Sequence, residues 1–198
     1  LEEAIALDPE YPILYSALAF THLLDLLLPS SESPEISFAQ ASKNIKKALA
    51  LDNEDFTAHF ALSQLYMLRK EHDKAIAASE RAIAVNPNAA DAYDHIGFVL
   101  ILSGKADEGI KLIEKAIRLN PITPAHYPNH LAMAYHFLGR YEDAIEVLKK
   151  LAERYPNNMF VHIWLTAAYS ASGREEEARR QAEELLRLDP SLSLDRFA

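Results

Sequence analysis

Histidines are the residues of this sequence that come closest to forming a metal-binding site. His126 and His130 are four residues apart, a spacing that places two imidazoles on one face of a helix, where they can ligate Zn²⁺. If a helix already begins at His126, His95 from an earlier stretch of similar sequence could join them. Pro128 lies between the pair and disfavours this geometry, because proline disrupts a helix interior. We therefore predict no metal site and no cofactor.

The motifs of the common catalytic sites are missing. The sequence contains no G-x-S-x-G, no glycine-rich loop for phosphate and no H-E-x-x-H, and it has only five glycines. It also lacks cysteine, which excludes disulfides and thiolate chemistry and fits a reducing compartment. We predict a non-catalytic protein in the cytoplasm.

The charge balance excludes two classes of partner. The 198 residues carry 29 acidic and 20 basic side chains, a formal net charge of −9. Nucleic acid and anionic lipid both need a basic surface, and no basic stripe is visible. No apolar run approaches the roughly 18 residues of a membrane-spanning helix. We expect neither nucleic acid nor membrane to be a partner.

A repeat organises the chain. Pro87 and Pro121 are 34 residues apart, Pro156 and Pro190 are also 34 apart, and the interval between Pro121 and Pro156 is 35. Within residues 86–121, apolar residues at helical spacing occur in two segments on either side of a glycine. Each repeat is therefore predicted to be a helix–turn–helix hairpin. Three glycines fall at the turn in the same phase: Gly104, Gly139 and Gly173.

Small and aromatic residues keep this phase as well, with tyrosines shortly before the turn at Tyr66, Tyr135 and Tyr169 and alanines early in the second helix at Ala75, Ala144 and Ala178. A two-helix unit of this length with these positions resembles the tetratricopeptide repeat. The resemblance implies an all-α fold, a right-handed superhelix of antiparallel helix pairs, across nearly the whole chain. We divide the single array into a truncated second helix, five units and a C-terminal cap: residues 1–9, 10–53, 54–87, 88–121, 122–156, 157–190 and 191–198.

The sequence also predicts where individual helices begin and end. An opening helix at residues 1–7 looks like the second half of a unit whose first helix is missing, which suggests a fragment of a longer protein. Ser33 is expected to cap a helix at residues 34–50, and Pro128 or Tyr127 to begin a later one. Lys70 occupies a turn position held by glycine elsewhere. Further helices are expected at residues 12–28, 54–68, 72–85, 141–154, 157–172 and 174–188, with Leu192, Leu194 and Phe197 covering the end.

Ligands of this family meet the first helix of each unit, so the resemblance implies a peptide-binding groove there. Some members grip a peptide carboxylate with Lys, Arg and Asn, but here only Asn129 is of that kind, which disfavours such a ligand. The groove would suit an amphipathic helix or an extended segment with bulky side chains. Phe60, Phe98 and Trp164 could equally complete the core between helices. The candidate groove residues are Phe60, Gln64, Asp94, His95, Phe98, Asn129, His130, Met133 and Trp164.

A narrower resemblance covers roughly the last 80 residues. The stretch RLNPITPAHYPNHLAMAYHFLGRYEDAIEVLKK and the ending LLRLDPSLSLDRFA are similar to the C-terminal repeats of bacterial class III adenylate cyclases and related signalling proteins. Two functions follow. The first is a scaffold that binds a protein or peptide. The second is a regulatory or dimerisation module of a cyclase-type protein, with a second copy or another domain of the same polypeptide as its partner.

Overall fold

The protein is all-α, as predicted. The computed structural model describes residues 1–27 and 33–192, and within these ranges it contains eleven α-helices and no strand. The helices are α1 Glu2–Leu7, α2 Pro12–Leu27, α3 Pro34–Leu51, α4 Phe56–Leu68, α5 His72–Val85, α6 Ala90–Leu102, α7 Ala106–Leu119, α8 His126–Phe137, α9 Tyr141–Arg154, α10 Met159–Ala171 and α11 Glu175–Leu188.

The chain divides into two compact units, Leu1–Leu100 and Ile101–Ala198, with the boundary near the end of α6. In the first unit, α2 packs on α3 and on α4, and α4 packs on α3 and α5. In the second unit, α8 packs on α7, α9 and α10, and α10 packs on α9 and α11. In both units a first helix, α2 or α8, therefore contacts its own second helix and the next first helix, which is the packing that stacked hairpins require. We refer below to α2, α4, α6, α8 and α10 as the first helices.

Fully buried alanines lie at the contacts between helices, where their small side chains let the helices pack closely. In the first unit Ala19, Ala41 and Ala61 are fully buried, and they pack with Leu23 and Ile45. In the second unit the same role falls to Ala132, Ala144 and Ala168, which pack with the buried Leu148 and Leu165. Each large aliphatic side chain buried in this way contributes about 1.5–3 kcal/mol.

The predicted helix bounds are close to the observed ones. His72–Val85 and Tyr141–Arg154 agree fully. At 16 and 18 residues, α2 and α3 are longer than the later helices, and the unit 10–53 that contains them is ten residues longer than the unit 54–87. The start of α8 was predicted one or two residues too late, because Pro128 is the third residue of the helix, where an N–H has no helical acceptor in any case. Leu28, the predicted last residue of the helix at 12–28, and Leu194 and Phe197, predicted to cover the end, lie outside the described residues.

Ser33 precedes α3 as predicted, but its side chain makes no capping hydrogen bond. Asp55 and Asn158, at the equivalent places of α4 and α10, do cap: they accept from Ala58 N and Phe160 N at 3.0 Å. The entry to α3 depends instead on Pro34, whose fixed φ suits the first helical position.

The turns between paired helices share one geometry. Gly104, Gly139 and Gly173 have φ of 78°, 72° and 78°. At the second of these turns, Gly139 N donates to His136 O at 3.0 Å and Arg140 N donates to Tyr135 O at 2.8 Å. This is the Schellman arrangement, which needs a residue in the left-handed region. Lys70 has φ of 60° at the same position, as the repeat alignment predicts.

A side chain of several first helices fastens the preceding loop. Tyr15 donates its hydroxyl to Pro9 O at 2.9 Å, and the His59 ring lies 2.9 Å from Asn53 O. His162 Nε2 lies 2.8 Å from Pro156 O, so the bond spans six residues each time. His59 is half-buried and His162 is buried, so both lie at the edge of the helix core. Among the described residues, no helix has the length and apolar character needed to cross a bilayer.

Replacing Lys70 with glycine is expected to stabilise the protein. A side chain at positive φ costs roughly 1–2 kcal/mol, and part of this gain is lost to the greater freedom of glycine in the unfolded chain. We expect Lys70→Gly to raise the free energy of unfolding by about 0.5–1 kcal/mol in urea denaturation. Lys70→Ala removes the same charge but keeps Cβ, so it should give no such gain. Equal stabilisation by both variants would show that the backbone is not the cause.

Candidate functional site

Charge is divided unequally between the two kinds of helix. The five first helices contain no lysine or arginine, and their only formal charges are Asp25, Asp91 and Asp94. The second helices hold most of the Lys and Arg of the chain, arranged with Glu and Asp along exposed faces. Seven of the eight histidines lie on first helices. The first helices therefore offer apolar, aromatic and imidazole groups, and the second helices offer a solvated charged surface.

In the first unit, aromatic rings connect three first helices. Phe60 of α4 stacks on Phe20 of α2, with ring centroids 6.4 Å apart and planes at 21°. It also stacks on Phe56, at 6.0 Å and 9°, and meets the edge of His95 from α6 at 5.5 Å. The three phenylalanines are half-buried, so they combine packing with exposed ring surface. We call these four residues the Phe60 strip.

In the second unit, the rings gather around Trp164 of α10. Phe137 at the end of α8 lies perpendicular to Trp164 with centroids 5.9 Å apart, and His136 lies 5.5 Å from the same indole. Phe137 is 57 % exposed, and Phe160, one helical turn before Trp164, is 66 % exposed. Exposed aromatic groups of this size on one face are typical of interaction sites. We call Phe137, Phe160 and Trp164 the Trp164 patch.

The nine candidate groove residues fall into two classes. Four are more than nine-tenths buried and offer little surface to a ligand: Asp94, His95, Asn129 and Met133. Five are half-buried and keep solvent-accessible surface: Phe60, Gln64, Phe98, His130 and Trp164. The structure thus brings Phe60 and His95 into contact in the first unit, and it places Trp164 against two rings absent from the prediction.

Three aromatic residues outside the predicted set, Phe56, Phe137 and Phe160, have a recognisable signal in the sequence. Phe137 lies four residues after Met133, and Phe160 lies four residues before Trp164, so each pair shares a helix face. Phe56 stands in the same relation to Phe60. Extending the candidate face by one turn at each end of the first helices would have found all three.

The histidine pair of α8 is close in space. Because α8 begins at His126, both residues are helical, and their ring centroids are 5.8 Å apart. Pro128 therefore does not disrupt the helix between the two histidines, although its position predicts that it would. A metal ion held by protein alone needs further ligands. Among the described residues, no group of three or more His, Asp or Glu side chains is arranged to hold one.

Two arginines at helix turns, Arg140 and Arg174, are already engaged. The guanidinium of Arg140 lies 4.4 Å from the Tyr135 ring centroid and its Nε donates to Asp143 at 2.7 Å. Arg174 repeats the arrangement with Tyr169 at 4.7 Å and Glu177 at 2.8 Å, and this hydrogen bond lowers the pKa of the Glu177 carboxyl. Because an aromatic ring and a carboxylate already hold each arginine at its turn, both are poorly placed to bind a ligand carboxylate.

His136 is a half-buried titratable group beside Trp164. Its Nδ1 is buried with no hydrogen-bond partner in the described part of the chain, and burial lowers the pKa of its imidazole. The unfolded chain, with a pKa of about 6.5, therefore takes up the proton first as the pH falls. The stability that depends on neutral His136 is complete above that value and is lost as the pH drops through the folded pKa.

We expect the melting temperature to fall between pH 7.5 and 5.5, and His136→Gln to make that fall smaller, because it removes the group that must charge. The measurement is thermal unfolding followed by circular dichroism at several pH values. His126→Gln is the control, since this histidine is exposed on the same helix. An unchanged pH dependence in His136→Gln would contradict the assignment.

Comparison with known proteins agrees with this architecture. The TPR repeat-containing protein YpiA of Bacillus subtilis is 28% identical over 198 residues, which covers 96% of this chain and 42% of YpiA. The peroxisomal targeting signal receptor of Kluyveromyces lactis is 31% identical over 108 residues, which covers 54% of this chain and 19% of the receptor. The chain thus spans less than half the length of these relatives.

Solved structures show the same fold. PilW, a type IV pilus biogenesis factor, superposes with a TM-score of 0.79 at 18% identity, covering 91% of this chain and 80% of PilW. YrrB, described as a TPR protein with an unusual peptide-binding site, gives a TM-score of 0.64 at 19% identity, covering 96% of this chain and 92% of YrrB. The family model of the tetratricopeptide repeat matches residues 14–191. The chain therefore belongs to the tetratricopeptide-repeat family.

Proposed function

We propose that this chain is a non-catalytic protein–protein interaction scaffold that binds a peptide or helix on the surfaces formed by its first helices. Tetratricopeptide-repeat domains in general are non-catalytic and bind protein or peptide partners. The observation that carries the proposal is specific to this chain: its first helices lack lysine and arginine but present half-exposed aromatic rings. Rings that are fixed by packing but still solvent-accessible are efficient anchors for a partner, because little side-chain entropy is lost on binding.

The same surfaces argue against a ligand recognised through its carboxylate. Such a ligand needs cationic or several convergent donors, and the first helices supply neither lysine nor arginine. Asn129, the candidate amide donor, is buried. Binding would instead use apolar side chains of the partner against the Phe60 strip and the Trp164 patch, in the manner of a helix in a groove or an extended segment.

A second function, a regulatory or dimerisation module within a longer signalling protein of the cyclase type, is favoured by the resemblance of the last 80 residues. The chain is also 22% identical over 186 residues to the transcriptional regulator HilA of Salmonella typhimurium, covering 93% of this chain and 33% of HilA. In that setting the partner is another domain of the same polypeptide or a second copy. We place either activity in the cytoplasm, without nucleic acid or membrane as ligand.

The scaffold function can be tested with displayed peptides. A library of random 16-residue peptides is selected on the wild-type chain, and the enriched peptides are measured by fluorescence anisotropy. We test the double variant Phe137→Ala/Phe160→Ala and the single variant Phe60→Ala. Either one should lower the affinity of each enriched peptide at least about 30-fold, which corresponds to the loss of one or two interface hot spots. Circular dichroism verifies that each variant remains folded.

Controls use apolar residues that are equally exposed but lie off the first helices. Ile122 is 79% exposed in a loop and Leu186 is 50% exposed on α11. Ile122→Ala and Leu186→Ala should leave the affinities unchanged. The proposal is wrong if no peptide is enriched, or if the enriched peptides respond to these controls and not to the first-helix variants.

A further inference from the structure

We infer that the partner held by the first unit is a basic segment, a peptide or helix that carries lysine or arginine beside its aliphatic or aromatic side chains. The inference rests on the proposed function and specifies the chemistry of one of its two surfaces. It follows from an apolar surface and a charge distribution that occur together only in residues 1–100.

The apolar part of this surface is the Phe60 strip, which crosses α2, α4 and α6 without interruption by a cationic group. Along α2 it is extended by Ile13 and Leu24, which are 51% and 48% exposed. Their exposure, together with that of the half-buried rings, gives a partner several apolar contacts within one unit. Gln64, half-buried on α4, supplies a neutral amide beside them.

The charge of the chain is concentrated in the same unit. Residues 1–100 contain 15 acidic and 7 basic side chains, a net charge of −8, whereas residues 101–198 contain 14 and 13, a net charge of −1. The first unit therefore produces nearly all of the negative potential of the protein. Such a potential raises the rate of encounter with a cationic partner and disfavours an anionic one.

Part of this negative charge lies at one end of the first helices. Asp8 and Glu10 precede α2, and Asp52 and Glu54 precede α4; all four are exposed. Because α2 and α4 each pack beside the antiparallel helix between them, they run in the same direction, and their entry loops lie at the same end. We call these four residues the acidic rim.

The rim carboxylates are ordered and largely unneutralised by lysine. Asp8 and Asp52 accept the backbone N–H groups of Glu10 and Glu54 at 3.2 and 2.9 Å. One described ion pair reaches the rim, between Lys47 and Glu10 at 3.3 Å, and the two side chains are 40% and 74% exposed. An exposed pair of this kind is weak, so a cationic partner can compete for Glu10.

The second unit lacks this arrangement, which makes it an internal comparison. The loops before α8 and α10, residues 120–125 and 155–158, contain no acidic residue. The Trp164 patch therefore has aromatic surface without a rim. A preference for basic partners should be confined to the first unit.

Three designed 16-residue peptides test the inference. They share one apolar face of Leu and Phe and differ only at four flanking positions, which are Lys, Gln or Glu. In fluorescence anisotropy with the full chain at 50 mM NaCl, we expect the Lys peptide to bind about 10-fold more tightly than the Gln peptide, and the Glu peptide more weakly than both. At 500 mM NaCl the difference should shrink to less than about 3-fold, because salt screens exposed charges.

Matched variants separate the rim from general attraction. Asp8→Asn, Asp52→Asn and Glu54→Gln together should weaken the Lys peptide about 5–10-fold and leave the Gln peptide unchanged. Glu175→Gln, Glu176→Gln and Glu183→Gln, three exposed residues of α11, remove the same charge elsewhere and should change neither peptide. Ile13→Ser with Leu24→Ser should weaken both, because these residues belong to the apolar surface.

The outcomes distinguish the two proposals. If the three peptides bind equally and depend on Ile13 and Leu24, the scaffold function stands and the preference for a basic partner is wrong. If the Lys peptide loses affinity equally with the α11 control, the attraction is diffuse and the inference fails. If no peptide binds, the surface lacks affinity for the chemistry assigned to it and the inference fails, while the library selection still decides the scaffold function.

Discussion

The close contact between helices at buried alanines is the constraint on which the rest of this structure depends. A hairpin of two helices cannot bury its apolar faces alone, so each must be covered by the next hairpin. Ala19, Ala61, Ala132 and Ala168 are fully buried on first helices, where a larger side chain would separate the neighbours. Phe60 and Trp164, which lie on the same helices, are only half-buried.

The first helices are therefore both part of the core and the candidate binding surface. Phe60 touches three other rings and Trp164 touches two, yet each of them retains exposed area. The alternatives of ligand contact and core completion, which the sequence leaves open, are therefore not exclusive. A ring that is already immobilised by its neighbours is also pre-organised for a partner.

The repeat period predicts the architecture well because its determinants are local. The turn glycines, the phase of the alanines and the position of Lys70 at φ of 60° all follow from counting residues in the chain. The entry to α3 is less predictable: Ser33 has the right residue type for a cap, but its side chain makes no such bond. The observed start of α8 is one or two residues earlier than predicted, because proline is tolerated throughout the first turn.

The site was harder to predict, since burial depends on neighbours that a single repeat does not reveal. Asp94, His95, Asn129 and Met133 share helix faces with true surface residues but are more than nine-tenths buried. The repeat phase places them on the predicted face, but it does not predict how deeply they are buried. Conversely, Phe137 and Phe160 lie at helix ends, where the next hairpin no longer covers the side chain, and so they are exposed.

The separation of the charged second helices from the apolar first helices bears on which partners the proposed scaffold can bind. With no lysine or arginine on the first helices, the apolar surfaces meet a partner without the desolvation cost that long cationic side chains would impose. The second helices carry the exposed ion pairs instead, where each contributes little to stability but keeps the outer surface hydrated. On the first helices, the buried alanines and the exposed residues of the proposed binding surface are different positions, so the exposed residues can vary in sequence without loss of the alanine contacts between helices.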